Sequence, residues 1–163
     1  MKTVFITETK LIDKKQLFNV YRGGIRKNAE KYNETEQQIE EGHWNYLVDF
    51  LENQHGFLAI LKDEEKYMAA IRVLPKQDNE YFCEAFEVAE GFRGKGLGKR
   101  LYRDVIEYIA NKNTHFKLEA HTWKTNIASI KAHVGVGFEI SKDYVLNEDG
   151  TKNEAEITFC LCK

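Results

Sequence analysis

The segment at residues 87–109, EVAEGFRGKGLGKRLYRDVIEYI, contains three glycines at alternate positions directly before a helical pattern. A β-rich run at residues 80–88 leads into the glycines, and a second one at residues 116–123 follows the helical pattern. A strand, a tight turn, a helix and a strand form a crossover unit, in which we expect the two strands to be parallel. Ligands bind such sheets beyond the carboxyl end of a central strand, so the glycines mark the predicted binding site.

The glycines fit neither of the two common phosphate-binding motifs. Counting from Gly94, the third glycine of a dinucleotide fingerprint falls at Lys99, and Arg100 occupies the place of the P-loop Ser or Thr. One interpretation is a tight connection with solvated basic residues. The other is an anion site, because bare backbone lets N–H groups approach a ligand and a helix N-terminus adds roughly half a positive charge. The candidate binding residues are Arg93, Gly94, Lys95, Gly96, Leu97, Gly98 and Lys99.

The rest of the chain predicts a single α/β (α+β) domain over residues 1–163, with a mixed sheet covered by helices. Two helices are predicted within residues 13–53, with breaks at Gly23 and Gly24 and near Asn33, and a third is expected to begin at the cap Thr125. The predicted strands outside the crossover unit, most of which pair as hairpins, are residues 3–7, 55–63, 66–74, 138–146 and 154–162.

Composition and charge exclude several classes of function. The chain has 163 residues, 42% of them hydrophobic, which is enough for one core. Its net charge of -2 gives no overall field to attract nucleic acid or an anionic membrane. No apolar run fits a signal peptide or a membrane span, so we expect a cytoplasmic protein. Cys83, Cys160 and Cys162 lack metal-ligand spacing, which predicts buried thiols in strands and no metal site.

Two motifs resemble those of the GNAT superfamily of acyl-CoA-dependent N-acetyltransferases. Residues 88–98, VAEGFRGKGLG, are similar to the family's pyrophosphate loop, which is Arg or Gln, two residues, Gly, one residue, then Gly or Ala. Residues 126–138, NIASIKAHVGVGF, resemble its segment N-x-x-A/S-x-x-x-Y-x-x-x-G-F. The predicted order of elements agrees over essentially the whole chain. The matching residues are Arg93, Gly96 and Gly98 in the first motif, and Asn126, Ser129, Gly137 and Phe138 in the second.

The resemblance implies a mostly antiparallel sheet, with a parallel central pair splayed around acyl-CoA and helices on both faces. It implies acetyl-CoA as co-substrate, with its pantetheine paired to the backbone of Phe86, Glu87 and Val88. In this family an acceptor amine attacks the thioester directly, so the protein must supply a base for the ammonium and an acid for the leaving thiolate. The expected partner is a small-molecule or peptide amine, and a homodimer is an open alternative.

Glu84 is the candidate base. Strand alternation predicts that it shares a face with the apolar residue Phe86, and a carboxylate in such surroundings has a raised pKa unless it is paired. A salt bridge with Arg72 of the preceding strand is the competing, structural interpretation. Glu87, predicted on the opposite face, and His121, acting through water, are the reserve candidates.

At His133 the chain departs from the family pattern, since many members have a tyrosine there. At about 100° per residue, Asn126, Ser129 and His133 share one stripe of the helix, and we expect a second stripe, with Ile127 and Val134, to face the core. The resemblance implies that the first stripe contacts coenzyme A. His133 is a candidate acid for the thiolate; holding coenzyme A in place and simple packing within the helix are the alternatives.

The sequence leaves the acceptor open. The region that shapes the acceptor pocket in the superfamily, residues 30–52, is rich in acidic side chains, which suits a cationic amine, but a solvated helix face explains them as well. Small amines, polyamines, amino acids and peptide N-termini or lysines are all compatible. The expected function is an N-acetyltransferase. The alternative, motivated by the missing tyrosine, is a non-catalytic acyl-CoA-binding regulatory or interaction protein.

Overall fold

The computed structural model describes residues 1–163 as a domain with helices on both faces of a seven-stranded sheet. The strands are β1 (Lys2–Ile6), β2 (Phe57–Asp63), β3 (Lys66–Pro75), β4 (Glu80–Val88), β5 (Lys117–Trp123), β6 (Glu139–Lys142), β7 (Val145–Leu146), β8 (Lys152–Asn153) and β9 (Glu156–Cys162). The helices are α1 (Lys14–Val20), α2 (Arg22–Tyr32), α3 (Glu36–Glu52), α4 (Leu97–Ala110) and α5 (Ile127–Gly135). None of the helices combines the length and the apolar character that crossing a membrane requires.

The main sheet has the order β1-β2-β3-β4-β5-β9-β6. All neighbouring pairs are antiparallel except β4 and β5, so the predicted mixed, mostly antiparallel sheet with a parallel central pair is confirmed. The two parallel strands pair only between residues 80–83 and 117–120. Beyond Cys83 they are no longer paired, so a gap opens towards the glycine loop.

A bulge in β4 changes which residues share a face of the sheet. Ala85 has a φ of 48°, and the register between β3 and β4 shifts at this point. One extra residue reverses the alternation of side chains. Phe86 therefore packs against the α4 side, whereas Glu84 and Glu87 both act on the buried phenol of Tyr21 on the other side. The predictions that Glu84 shares a face with Phe86 and that Glu87 lies opposite are wrong.

Two apolar clusters fill the spaces on the two faces of the sheet. The cluster between the sheet and α4 includes Leu101, Val105 and Phe159, all fully buried. The cluster beneath α1, α2 and α3 includes Ile25 and Phe50. The second cluster draws its sheet residues from β1 to β4 and none from β5 or β9, so that part of the sheet carries no helix-packed core on this side.

The region between β1 and β2 contains three helices rather than the two predicted. The chain turns at Tyr21, between α1 and α2, and Gly23 and Gly24 lie inside α2. The Tyr21 hydroxyl donates a hydrogen bond of 2.7 Å to the carbonyl oxygen of Ala85, so a tertiary contact accompanies the break. A glycine inside a helix costs only about 1 kcal/mol relative to alanine, which packing overrides. The predicted break near Asn33 is confirmed, since this residue ends α2 with a φ of 53°.

The short helix α5 differs from its prediction in its cap and in its buried face. Asn126, not Thr125, is the cap, and its side-chain oxygen accepts from a first-turn N–H at 3.1 Å. Ile127 and Val134, expected to face the core, are 55% and 54% exposed, whereas His133 is only 2% exposed. The helix thus buries part of the stripe that the sequence assigned to a ligand.

The chain closes as predicted, with β6 antiparallel to β9, while β7 and β8 form a separate ribbon around the turn at residues 147–151. The prediction for the thiols holds only in part. Cys83 is buried, but Cys160 is partly exposed and Cys162 is exposed, with their sulfur atoms 3.5 Å apart. Neither of these two side chains lines the cleft described below.

Candidate active site

The glycine loop connects β4 to α4 through two residues in the left-handed region. Gly94 and Gly96 have φ values of 76° and 74°, and a Cβ on either would meet open space. No side chain caps α4, so the N–H groups of its first turn are left for a ligand. Gly98 has a different role, because a Cβ there would lie 2.7 Å from the Phe86 ring, and glycine lets the helix pack against β4.

Two of the four basic residues around the loop are engaged within the protein. Arg93 donates to the Glu87 carboxylate at 2.8 Å and to the Val88 carbonyl oxygen at 3.0 Å. Arg100 turns towards the N-terminus and donates to the Met1 carbonyl oxygen at 3.1 Å. Arg93 therefore braces the loop onto the end of β4, and Arg100 does not serve the anion site proposed from the sequence.

The other two loop cations, Lys95 and Lys99, form no salt bridge with any carboxylate. The Lys95 ammonium lies 5.6 Å from the Phe92 ring centroid, and the aliphatic part of Lys99 passes close to Gly135 of α5. Free N–H groups, open glycines and two unpaired ammonium groups occur together here. This combination fits a polyanionic group such as a pyrophosphate.

A cleft of about 290 Å³ opens where β4 and β5 separate. It brings together six residues singled out from the sequence, which come from β4, β5, α5 and the cap of α5 and are Glu84, Phe86, His121, Asn126, Ser129 and His133. A larger cavity, about 430 Å³, lies at the opposite end of the parallel pair between Glu80 and Lys117, and contains none of these residues. The smaller cleft is the candidate site because the polar and titratable side chains singled out from the sequence lie together there.

Glu84 is held by two neighbours on the α3 side of the cleft. Its Oε1 accepts a hydrogen bond from the Tyr46 hydroxyl at 2.9 Å and lies 3.4 Å from Nε of Arg72. The Arg72 guanidinium also stacks 4.5 Å from the Tyr46 ring centroid. Nε of Arg72 has no well-aligned hydrogen-bond partner, so its contact with Glu84 is mainly electrostatic. The contact expected if Glu84 is a structural partner of Arg72 is therefore present. The Glu84 carboxylate also borders the cleft.

The two reserve bases are placed differently. Burial raises the pKa of Glu87, while the neighbouring Arg93 lowers it, and Glu87 is not part of the cleft lining. His121 does line the cleft, with its Nε2 3.1 Å from Oε1 of Glu119 and its ring against Phe82. Of the three candidates, Glu84 and His121 are within the cleft and Glu87 is outside it.

His133 forms a buried polar pair with Tyr102 of α4. Its Nδ1 lies 2.7 Å from the carbonyl oxygen of Ser129, which can only accept, so Nδ1 carries the ring proton. Its Nε2 then accepts from the Tyr102 hydroxyl, also at 2.7 Å. Burial lowers the pKa of His133, which favours the neutral ring, and raises the pKa of Tyr102 well above its ordinary value. The one proton shared by the pair is the Tyr102 hydroxyl proton.

The buried Tyr102–His133 pair explains why α5 buries a different face from the one predicted. The His133 ring stacks on Phe159 at 4.9 Å and packs edge-on against Phe86 and Phe138. With both nitrogens bonded, the imidazole enters this aromatic shell without an unsatisfied polar atom. The Ile127 and Val134 side chains are left outside as a result.

The sequence did not reveal several residues of the cleft. Tyr102 lies on the apolar stripe of α4 and is indistinguishable there from core residues. Trp123 and Glu156 face each other across β5 and β9, a register that only the folded sheet defines. Thr122 also lines the cleft, where its hydroxyl lies 3.3 Å from that of Ser129. No local signal marks these residues, since their proximity arises from strand pairing.

Comparison with known protein families gives a match over most of the chain. The family model described as "Acetyltransferase (GNAT) family" matches residues 18–138. No curated protein matches the chain significantly.

Three solved structures share the fold along nearly their whole length. The IAA acetyltransferase from Bacillus cereus ATCC 14579 is 18% identical, with a TM-score of 0.63, over 99% of this chain and 100% of that one. The ribosomal-protein-S18-alanine N-acetyltransferase from Escherichia coli is 16% identical, with a TM-score of 0.64, over 99% and 94%. The PaiA N-acetyltransferase from Thermoplasma acidophilum, in complex with coenzyme A, is 14% identical, with a TM-score of 0.68, over 98% of each chain.

The family match covers well over half of the chain, including the glycine loop and the segment that contains His133. The sheet topology, the parallel pair and the solved structures agree with it. The chain therefore belongs to the GNAT family of acetyltransferases.

Proposed function

We propose that the protein transfers an acetyl group from acetyl-CoA directly to an amine, with both substrates bound in the cleft between β4 and β5. The observation that carries the proposal is that the gap between β4 and β5, which forms this cleft, opens towards the glycine loop. The open glycines and the uncapped N–H groups, which suit a phosphate, lie at the N-terminus of α4. The titratable side chains lie in the gap between the strands. A bound thioester is thereby brought close to groups that handle protons.

The residues present fit acetyl-CoA. Its pyrophosphate would be held by the N–H groups of the loop at Gly94, Gly96 and Leu97, together with Lys95 and Lys99. Its pantetheine arm would follow the β4 backbone beyond Cys83, which has no partner strand on that side. When bound, acetyl-CoA supplies the thioester that an amine attacks.

Glu84 is the proposed base. An alkylamine with a pKa near ~10.4 is almost wholly protonated at neutral pH, so attack requires that a proton be removed. Glu84 borders the cleft and is oriented by Tyr46, which favours this role over that of Glu87. Arg72, 3.4 Å from the same carboxylate oxygen, also holds Glu84 at the edge of the cleft.

For the leaving thiolate we propose the Tyr102–His133 pair, rather than His133 alone. His133 presents a lone pair, not a proton, at Nε2, so the transferable hydrogen is on the Tyr102 hydroxyl. In this proposal His133 orients the phenol, and the phenol stands where the family's common tyrosine is missing. The proton cannot come from His133 Nδ1, which is committed to the Ser129 carbonyl.

The experiment is an assay of free thiol release from acetyl-CoA with a panel of amines, for the wild type, Glu84→Gln and Glu80→Gln. Glu80 lies on the same strand and is exposed, so it serves as the matched control. We expect Glu84→Gln to lower kcat by about 10²-fold near neutral pH and to recover partly as the pH approaches the pKa of the amine. Glu80→Gln should behave as wild type.

Two outcomes would contradict the proposal at different levels. An equal loss at every pH in Glu84→Gln would make Glu84 a structural partner of Arg72 only. Binding of acetyl-CoA without thiol release for any amine would indicate a regulatory acyl-CoA-binding protein instead.

A further inference from the structure

The mouth of the cleft carries an exposed aromatic ring beside an unpaired carboxylate. Trp123, at the end of β5, is 55% exposed although it is one of only two tryptophans in the chain. Its register partner on β9 is Glu156, and both border the cleft. Directly paired residues of antiparallel strands have Cβ atoms about 5 Å apart, so ring and carboxylate stand side by side.

The charges around the cleft are not balanced. Its lining contains Glu84 and Glu156 but no lysine or arginine. Glu84 is balanced by Arg72, at 3.4 Å. Glu156 accepts a hydrogen bond from the Asn153 side chain at 2.7 Å and has no cation within salt-bridge distance. No cation of the protein covers the Trp123 ring either. One negative charge and one aromatic face at the mouth are therefore left for a ligand.

We infer that Trp123 and Glu156 form a subsite for a second positive charge on the acceptor, so that the preferred substrate is a diamine. The inference rests on the proposed function, because it assigns the reacting amine to Glu84. A cation beside a carboxylate and over an indole face gains both Coulomb and cation–π attraction. The second, non-reacting ammonium of a diamine has the charge and size that this subsite accepts.

The register sets the distance between the two positions. Cys83 is level with Ala120, the last pair before β4 and β5 separate; Glu84 directly follows Cys83, and Trp123 lies three residues beyond Ala120. Glu156 is a further strand away. At the spacing of paired strands, about 4.8 Å apart with 3.3 Å per residue, the Cα atoms of Glu84 and Glu156 would be about 12 Å apart, and the separation of β4 from β5 beyond Cys83 adds to this distance. Both side chains border the cleft between them, which leaves a gap that an alkyl chain of about four to six carbons spans.

The first test compares matched acceptors that differ only in the second charge. Thiol release is measured with 1,4-diaminobutane against butylamine and with 1,6-diaminohexane against hexylamine. We expect kcat/KM to be at least about 10-fold higher for each diamine, the gain that a cation held by a carboxylate and a ring provides. Trp123→Leu and Glu156→Gln should each reduce this ratio by about 3- to 10-fold, mainly through the KM of the diamine. Glu154→Gln, an exposed carboxylate two residues before Glu156, should leave the ratio unchanged.

The second test does not depend on turnover. Trp44→Phe leaves Trp123 as the sole tryptophan, so its fluorescence reports on the subsite. Titration with 1,4-diaminobutane should change the emission saturably, and Glu156→Gln should weaken the apparent affinity. Equal kcat/KM for diamines and monoamines, with Trp123 emission unresponsive, overturns the subsite while leaving the acetyltransferase proposal intact. Absence of thiol release with every amine, monoamines included, rejects the proposed function and the diamine inference with it.

Discussion

At position 133, where the family pattern has a tyrosine, the chain has a histidine that is hydrogen-bonded to Tyr102. The His133 Nε2 atom is joined to the Tyr102 hydroxyl at 2.7 Å, and the opposite nitrogen is fixed by Ser129. Neither nitrogen is available for a second partner without breaking a buried hydrogen bond, which costs about 1–3 kcal/mol. The sequence identified the position as unusual. It could not identify the partner, because Tyr102 comes from another helix and has the spacing of a core residue.

Kinetics of single and double variants distinguish a working pair from a packing pair. If Tyr102 and His133 act as a unit on the leaving thiolate, Tyr102→Phe and His133→Phe should each lower kcat by about 10- to 10³-fold. The double variant should be little worse than either single one, because the groups share one role. The affinity for acetyl-CoA should change little, since the contact matters as charge develops on sulfur.

Thermal melts of all three variants provide the control, because a buried hydroxyl or imidazole without its partner destabilises the fold. If every variant retains kcat within about twofold of wild type, the pair is structural only. Additive losses would mean two independent roles.

Among the elements, those with a strong local pattern were predicted well. The β4–α4–β5 unit, the β2–β3 hairpin and the β6–β9 pairing follow from hydrophobic periodicity and turn residues. The bulge at Ala85 was missed because its backbone angle is imposed by packing and by the Tyr21 hydroxyl, not by a glycine. Its consequence was large, since one inserted residue moved Glu87 to the face of Glu84.

The loop between β4 and α4 allows a controlled test of the pyrophosphate site. Gly96→Val places a β-branched side chain in the left-handed region and beside the first turn of α4. We expect it to weaken acetyl-CoA binding by at least about 10-fold, because the side chain blocks the approach of an anion to the N–H groups. Isothermal titration calorimetry measures the affinity.

Gly150→Val is the matched control for backbone strain. Gly150 has a φ of 84° and open space around it, but it lies in the turn between β7 and β8. Both substitutions should cost a similar 1–2 kcal/mol or so of stability, the price of the left-handed conformation. Equal acetyl-CoA affinity in the two folded variants would show that the loop does not hold the pyrophosphate.

At the scale of the whole molecule, the sequence predicted a mixed sheet with helices on both faces, but not how these layers lie relative to one another. Both faces of the sheet are covered, yet the helices over β1 to β4 leave the same side of β5 and β9 open. The open area, the separation of β4 from β5 and the cleft between them depend on strand order and pairing length. Such quantities have no local sequence signal, so Trp123 and Glu156 were not among the predicted residues.

The buried histidine also makes the stability of the whole fold depend on pH. Burial lowers the pKa of His133 in the folded state below its ordinary value near 6.5. The unfolded chain therefore binds a proton more readily, and stability must fall as the pH drops below about 6.5, by about 1.4 kcal/mol for each pKa unit of depression. His43, whose pKa burial also lowers, acts in the same direction. Glu87, whose pKa is raised, acts in the opposite direction at lower pH.

A difference between variants isolates the contribution of His133. We compare the free energy of unfolding in urea at pH 7.5 and pH 5.5 for the wild type and for the double variant Tyr102→Phe with His133→Phe. Removing both partners avoids an unpaired buried group. The contributions of His43 and Glu87 cancel in the comparison, so the double variant should lose less stability on acidification. His115→Gln, at an exposed histidine, should behave as wild type. If wild type and double variant lose the same amount, His133 is not held neutral by its surroundings, and the tautomer on which the Tyr102 assignment depends has to be reconsidered.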